Sequence, residues 1–270
     1  KEVGLEATEL GPPGYLPEDQ DERSELLDRH GLRLIAGFRA AVLHDRSRRA
    51  LDEIEQSART LEASGAEVLV LAAALPGESY DRDERLAPAD WIALAEALVA
   101  AEELASAHRL RLAFHPHAGT AVAQKEDIYT LLETTSVEIC LDTGHLFLGG
   151  ADPVAIARDA AGRVSHVHLK DVDARLAGLV RDGELSYAEG VRAGLYRPLG
   201  AGDLDIGEVV GRIQDAGYRG WYVLEQDTAL TVEPAPARGP LMAARQSLEY
   251  FRRTVSAKQH ITAVEGGLNL

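Results

Sequence analysis

Cysteine is nearly absent from this sequence. Cys140 is the only one, so no disulfide framework can form within the chain, and a thiol set in the apolar run 137–141 reads as buried and inert. Basic residues are also scarce: 28 Lys and Arg face 44 Asp and Glu, for a net charge of −16. Gripping nucleic acid requires a basic footprint on the phosphates, so the balance argues against nucleic-acid partners and against anionic membrane surfaces. It describes instead a self-repelling, solvated surface. No run approaches the ~20 consecutive apolar residues of a membrane span, and no secretory pattern opens the sequence, which makes the cytoplasm the expected compartment. No Gly-x-Gly-x-x-Gly turn follows an early strand, which lowers the dinucleotide-binding option.

What the sequence does have is alternation. Hydrophobic residues make up 46% of 270, enough for a sizeable core. Strand-like runs begin near residues 5, 32, 67, 109, 137, 164 and 220. Helices are expected between and after them, over 17–30, 45–64, 88–108, 125–133, 153–160, 205–216 and 241–255. In the second of these, Leu51, Ile54, Ala58 and Leu61 share one face, and Gly65 stops it. The run 67–73 is almost wholly apolar, as in a strand covered on both faces. Residues 172–202 read as an insertion. A single domain over 1–255 and a tail over 256–270 complete the division. Strands alternating with helices imply a parallel sheet, and the length suits a (β/α)8 TIM barrel. Seven strands can be counted, so the expected architecture is a barrel entered at its second strand, with the first strand and helix absent from this sequence.

Side chains alternate faces along a strand, and the strand ends repeat one pattern. In the fifth strand of an eight-strand count, His115 and His117 share a face with Ala113, opposite Leu112 and Phe114. In the sixth, Asp142 lies with Cys140; in the seventh, His166, His168 and Lys170 lie together; in the eighth, Glu225 lies with Val223. Apolar residues turn towards covering helices, while ionisable ones turn into the carboxyl-end mouth where parallel α/β folds keep their active sites. Four neighbouring strands thus offer His, Asp, His and Glu. Mixed nitrogen and oxygen donors suit Mn²⁺, Co²⁺, Fe²⁺ or Zn²⁺. Two carboxylates would leave the site near neutral once a dication binds.

Several stretches carry a family resemblance. They are Thr8-Glu9-Leu10-Gly11-Pro12, Phe114-His115-Pro116-His117-Ala118-Gly119-Thr120, Leu141-Asp142-Thr143-Gly144-His145-Leu146 and His166-Val167-His168-Leu169-Lys170-Asp171. Two more are Pro198-Leu199-Gly200-Ala201-Gly202-Asp203-Leu204-Asp205 and the closing Val223-Leu224-Glu225-Gln226-Asp227. The chain resembles the sugar isomerase/epimerase superfamily of xylose isomerase-like barrels, and within it most closely the inosose dehydratases. The His-Pro-His stretch is the most discriminating, since most relatives carry a glutamate where His115 stands. The resemblance implies that His115, Asp142, His168 and Glu225 bind one divalent ion, Mn²⁺ or Co²⁺ foremost, with Zn²⁺, Fe²⁺ and Mg²⁺ also admitted. It implies catalytic roles for His117, Glu225 and His145. It places Glu9, His145, Lys170 and His166 near substrate, with a buried or second-layer place for His166 as an equal reading.

The implied reaction is dehydration of a cyclic polyol ketone such as 2-keto-myo-inositol in inositol catabolism. Proton abstraction beside the carbonyl would be followed by loss of a β-hydroxyl, with Glu225, His117 or His145 as base. Three other readings remain at this stage. A ketose 3-epimerase or aldose–ketose isomerase would use the same ion; an endonuclease IV-like phosphodiesterase would need more ligands and a basic face; a truncated barrel could serve a non-catalytic binding role. The partner is a small polyol or ketose, and unpaired edges of the second and eighth strands would favour a homo-oligomer. Other features read as structural. Trp91 and Trp221 belong to helix–barrel packing, and Gly200-Ala201-Gly202 is a tight turn into the 205–216 helix. The charged runs 18–25 and 81–85 read as solvated, with the latter also placed to form part of a lid.

Overall fold

Each expected strand is present in the computed structural model, which describes residues 3–77, 80–81, 84–230, 232, 234–235 and 239–265, the stretch 256–265 by its backbone alone. In chain order these are β1 (Ala7–Glu9), α1 (Gln20–His30), β2 (Arg33–Ala41), α2 (Arg48–Ala63), β3 (Val68–Ala73), α3 (Pro88–Ala107) and β4 (Arg111–Phe114). Then come α4 (Lys125–Thr134), β5 (Ile139–Asp142), α5 (Thr143–Leu148), α6 (Pro153–Asp159) and β6 (Val164–Leu169). The chain closes with β7 (Asp171–Val172), α7 (Ala174–Arg181), α8 (Tyr187–Arg192), β8 (Tyr196–Arg197), α9 (Ile206–Asp215), β9 (Tyr222–Leu224) and α10 (Pro240–Glu265).

Seven strands form one parallel sheet in the order β1-β2-β3-β4-β5-β6-β9, curled into a nearly closed TIM barrel with helices between the strands. Among the described residues β1 and β9 each have one strand neighbour. The stretch 172–202 is not a bare loop: β7 and β8 pair antiparallel apart from the barrel, and α7 and α8 lie between them. The last helix, expected over 241–255, runs to Glu265, and 266–270 fall outside the described residues. Helix α1, expected from residue 17, begins at Gln20 because the Asp19 carboxylate caps it, accepting from the backbone N–H groups of Asp21 and Glu22.

Burial explains the strand patterns. In β3, Leu69 and Leu71 join the layer between sheet and helices, while Val68 and Val70 fill the barrel interior with Ile35, Ala36, Ala113 and Cys140. Both faces of the strand are therefore apolar. Ala113 and Cys140, the interior positions below His115 and Asp142, are small, which leaves the polar groups above them room to converge. On α2 the buried face is Ala50, Ile54, Ala58 and Leu61; Leu51 sits at its margin. Trp91 packs on the helix–sheet layer, whereas Trp221 packs against the barrel interior.

Two expectations change in kind. The run 18–25 is not uniformly solvated, because Arg23 is buried and donates to the carbonyls of Pro17 and Glu18 and to Ser64 Oγ. The 200–204 turn does cradle an anion, but the anion is the chain's own Asp171. Its carboxylate accepts from the backbone N–H groups of Val172, Gly200, Gly202 and Leu204 at 2.8–3.1 Å. A Cβ on Gly202 would stand 2.3 Å from Asp171 Oδ1, so only glycine admits the carboxylate this closely. No described helix is long and apolar enough to cross a membrane.

Candidate metal and substrate site

The ionisable side chains meet at the carboxyl ends of β4, β5, β6 and β9. His115 follows β4, Asp142 ends β5, His168 stands near the end of β6, and Glu225 follows β9. His115 Nε2 lies 3.6 Å from Asp142 Oδ2. His168 Nδ1 lies 3.7 Å from the same oxygen and 2.8 Å from Glu225 Oε2. His115 Nδ1 donates to the Pro116 carbonyl at 2.7 Å, which leaves Nε2 as the lone pair facing Asp142. His115, Asp142 and His168 are buried, while the Glu225 side chain is 33% exposed and opens the cluster to the mouth.

Asp142 Oδ2, His168 Nδ1 and Glu225 Oε2 are each buried without a hydrogen-bond partner. The two carboxylate oxygens repel each other and have lost their water, and positive charge between them, a proton on His168 Nδ1 or a metal ion in its place, relieves this. Ligand atoms of Asp142, His168 and Glu225 lie within 4.8 Å of one another, as do those of His115, Asp142 and His145. The donor set therefore fits one divalent ion.

The Asp-Thr-Gly-His stretch has a job for every residue. Asp142 Oδ1 caps α5 by accepting from His145 N–H at 2.8 Å, which leaves Oδ2 for the cluster. Thr143 Oγ1 donates to the Lys170 carbonyl and accepts from its N–H, at 2.6 and 2.8 Å. Gly144 makes room: a Cβ there would stand 2.6 Å from Lys170 Cβ. His145 Nε2 accepts from Lys170 Nζ at 2.9 Å.

Lys170 is the fixed cation of the site. Its ammonium is buried 2.9 Å from Glu225 Oε1 and 3.4 Å from both Asp142 Oδ2 and Asp227 Oδ2. Burial works against its charge, but Asp142 and Glu225 outweigh it and hold its pKa well above the usual lysine value. Burial likewise opposes ionisation of Asp142, yet Lys170 and the surrounding histidines hold that carboxyl well below its ordinary range. His117 is half-buried; burial, then the charges of His115 and Lys170, lower its pKa to about 3. Burial followed by His117 and Lys170 lowers His145 as well. Both are therefore neutral imidazoles. Their rings lie 3.7 Å apart, and His117 Nδ1 donates to the Ala118 carbonyl, which leaves Nε2 as its basic nitrogen.

Glu9 and His166, which the resemblance places near substrate with a second-layer place for His166 as an equal reading, pair with each other. His166 is fully buried, and its Nε2 lies 2.6 Å from Glu9 Oε1. The same Glu9 oxygen lies 3.0 Å from His168 Nε2. Glu9 thus backs the cluster from behind instead of facing the mouth. The parity argument missed another group because loops have no strand period. Tyr187, at the start of α8 in the insertion, donates to Asp227 Oδ2 at 3.2 Å and meets the Tyr196 hydroxyl at 3.1 Å. Tyr80 stacks on Tyr187 at 4.9 Å and lies 5.6 Å from His117. Phe38 stands 5.5 Å from His117 on the other side. Asp227 shares Glu225's parity, so it alone could have been found. A cleft of about 520 Å³, lined in part by Tyr80, Ala118, Arg181 and Tyr187, lies beside this roof. A larger hollow of about 890 Å³ opens at the strands' amino ends, beside Arg109, Arg111 and Trp221, away from the carboxylate cluster.

A family model described as a xylose isomerase-like TIM barrel matches residues 1–254. The inosose dehydratase of Geobacillus kaustophilus is 30% identical, over 98% of this chain and 87% of that protein. The rhizopine catabolism protein MocC of Rhizobium meliloti is also 30% identical, over 95% of this chain and 80% of its own length. Among solved structures, an L-ribulose 3-epimerase aligns with a TM-score of 0.71 at 14% identity, covering 97% and 88% of the two chains. The IOLI protein with a binding zinc atom aligns with a TM-score of 0.66 at 15% identity, covering 93% and 89%. At such identities the structural likeness speaks for the fold alone.

Proposed function

The chain belongs to the xylose isomerase-like TIM barrel family, and from that premise we propose that it is a hydro-lyase. It removes water from a cyclic polyhydroxy ketone of the inosose class, with one divalent cation held by His115, Asp142, His168 and Glu225. The observation that carries the reading is the convergence of three buried, unpartnered atoms, Asp142 Oδ2, His168 Nδ1 and Glu225 Oε2, beside two neutral histidines. The nitrogen and carboxylate donors suit Mn²⁺ or Co²⁺ first, then Zn²⁺, Fe²⁺ and Mg²⁺. When bound, such an ion supplies Lewis-acid polarisation of the ketone oxygen.

The side chains do the rest. Phe38 and Tyr80 are 40% and 56% exposed beside His117, and offer ring faces to the C–H side of a flat polyol. His117 Nε2 takes the proton next to the carbonyl. The imidazolium so formed at His117 passes that proton to the departing hydroxyl, which leaves as water, so that His117 ends as it began. His145, whose ring lies 3.7 Å from that of His117 and whose Nε2 accepts from Lys170 Nζ, holds the His117 ring in place. One histidine that takes the proton and returns it to the leaving hydroxyl favours elimination from one face. Epimerisation requires a second group that returns the proton to the same carbon from the opposite face. The facing carboxylate, Glu225, is poorly suited to that: burial is outweighed by Lys170 and His168, which lower its pKa to about 2. The relatives named inosose dehydratase support the same class. In this reading the partner is a small cytoplasmic polyol, with no nucleic acid or membrane involved.

The test is a substrate panel. Protein loaded with Mn²⁺ is offered 2-keto-myo-inositol and a set of ketoses, and product is followed by the absorbance of the conjugated ketone. His117→Ala is expected to lower kcat by about 100-fold or more. If that variant turns over at the wild-type rate with metal bound, His117 is not the base. Ketose epimerisation with no loss of water from the inosose would replace the dehydratase reading.

A further inference from the structure

We infer that Glu9 is a positioning residue: paired with His166, it holds His168 so that Nδ1, not Nε2, is presented to the cation. The inference rests on the four-residue cation site proposed above. A neutral imidazole has one N–H and one lone pair, and the partner of the first decides which nitrogen carries the second. His168 Nε2 lies 3.0 Å from Glu9 Oε1, so the proton belongs there. The lone pair is then on Nδ1, the atom that faces Asp142 Oδ2 and Glu225 Oε2 and has no hydrogen-bond partner.

His166 keeps Glu9 from swinging away. Its Nε2 lies 2.6 Å from the same oxygen, two residues before His168 on β6. The Glu9 side chain is 15% exposed and joins the first strand of the sheet to its sixth across the barrel interior. A carboxylate behind a ligating imidazole also makes that imidazole a stronger donor. Glu9 therefore acts on the cation through His168, without touching either the cation or the substrate.

Affinity for Co²⁺ tests this, measured by competition with a chelating dye, together with the visible spectrum of the Co²⁺ protein. Glu9→Ala is expected to weaken Co²⁺ binding by about 10- to 100-fold and to alter the d–d bands. Glu9→Gln, which keeps an acceptor oxygen but loses the charge, is expected to fall between Glu9→Ala and the wild type. At saturating Co²⁺ the KM of both variants for the polyol ketone should stay at the wild-type value. Unchanged Co²⁺ affinity with a raised KM would make Glu9 a substrate contact and overturn the inference. If the wild-type protein binds no Co²⁺, the cation site itself fails. If the wild type binds and both variants bind equally well, only the role of Glu9 fails. Should Glu9→Ala not fold, Glu9→Gln and His166→Gln carry the comparison, with weaker Co²⁺ binding expected in each and wild-type affinity in both overturning the inference.

Discussion

Replacing Lys170 by methionine isolates the electrostatics of the site. The change keeps most of the side-chain volume and removes a buried ammonium from three carboxylates, 2.9 Å from Glu225 and 3.4 Å from Asp142 and Asp227. At an effective dielectric of about 20, one such pair at 3.4 Å is worth about 5 kcal/mol of attraction. Stripping one partner from a buried pair costs about 3–5 kcal/mol, because the remaining charge is left uncompensated. Glu225 and Asp227 are 33% and 37% exposed and recover some hydration, so the full penalty falls on Asp142 and the lower end, about 3 kcal/mol, is expected. A divalent ion at the same carboxylates should restore much of the loss.

The pH dependence has a definite sign. In the wild type, the carboxyls of Asp142 and Glu225 titrate below their unfolded values, so their contribution is present above the ordinary carboxylate range and is lost as pH falls through the depressed values. Without Lys170 the effect of burial is less opposed, and the folded-state values rise. The folded variant then holds protons that its unfolded state has released, so its stability falls as pH rises through that window. The wild-type advantage should be largest near neutrality and shrink towards pH ~4, where unfolded carboxyls titrate. Urea unfolding in EDTA between these pH values, repeated with Mn²⁺, provides the assay. A gap that does not change with pH, or one that widens when metal is added, would refute the reasoning.

Two further outcomes follow from the same geometry. Gly144→Ala should destabilise by about 1–3 kcal/mol through overpacking on Lys170 and Tyr196, and should lower activity more than the melting temperature suggests, because Lys170 must move off its partners. Thermal melts and kcat on one preparation check both parts. Mn²⁺ or Co²⁺ added to metal-stripped protein at about 100 times Kd should stabilise it by about 2.7 kcal/mol, with EDTA reversing the shift. A melting curve indifferent to both additions removes the ion from the site.

How much of this the sequence disclosed follows from periodicity. Strand parity placed Ala113, Cys140 and Val223 in the interior and His115, Asp142 and Glu225 above them, because side chains in a strand alternate whatever the neighbours are. The same rule could not tell mouth from rear. His166 shared the inward face with His168 and could be read as a substrate contact or as a second-layer residue, and Glu9 was placed at the mouth by the resemblance alone; the two meet each other behind His168. Depth in a barrel depends on stagger between strands, and a single sequence does not contain it. Arg23 shows a similar limit. An acidic run reads as solvated, but whether its one arginine folds back on the carbonyls of Pro17 and Glu18 depends on Ser64, 41 residues away. The Tyr80–Tyr187 roof joins two loops that no period links.

The charge of the whole chain and the charge of the site call for different explanations. A surface balance of −16 can be carried by hydration. Three carboxylates gathered around one lysine cannot, since Asp142 has lost all contact with water. Lys170 neutralises one charge, and at His168 burial opposes a charge but Cys140, Glu9 and Glu225 hold the imidazole pKa well above its ordinary value. Asp142 Oδ2 and Glu225 Oε2 thus draw positive charge to one point, which is the physical reason to expect a divalent ion to displace the His168 proton there, next to a neutral histidine pair able to move a proton.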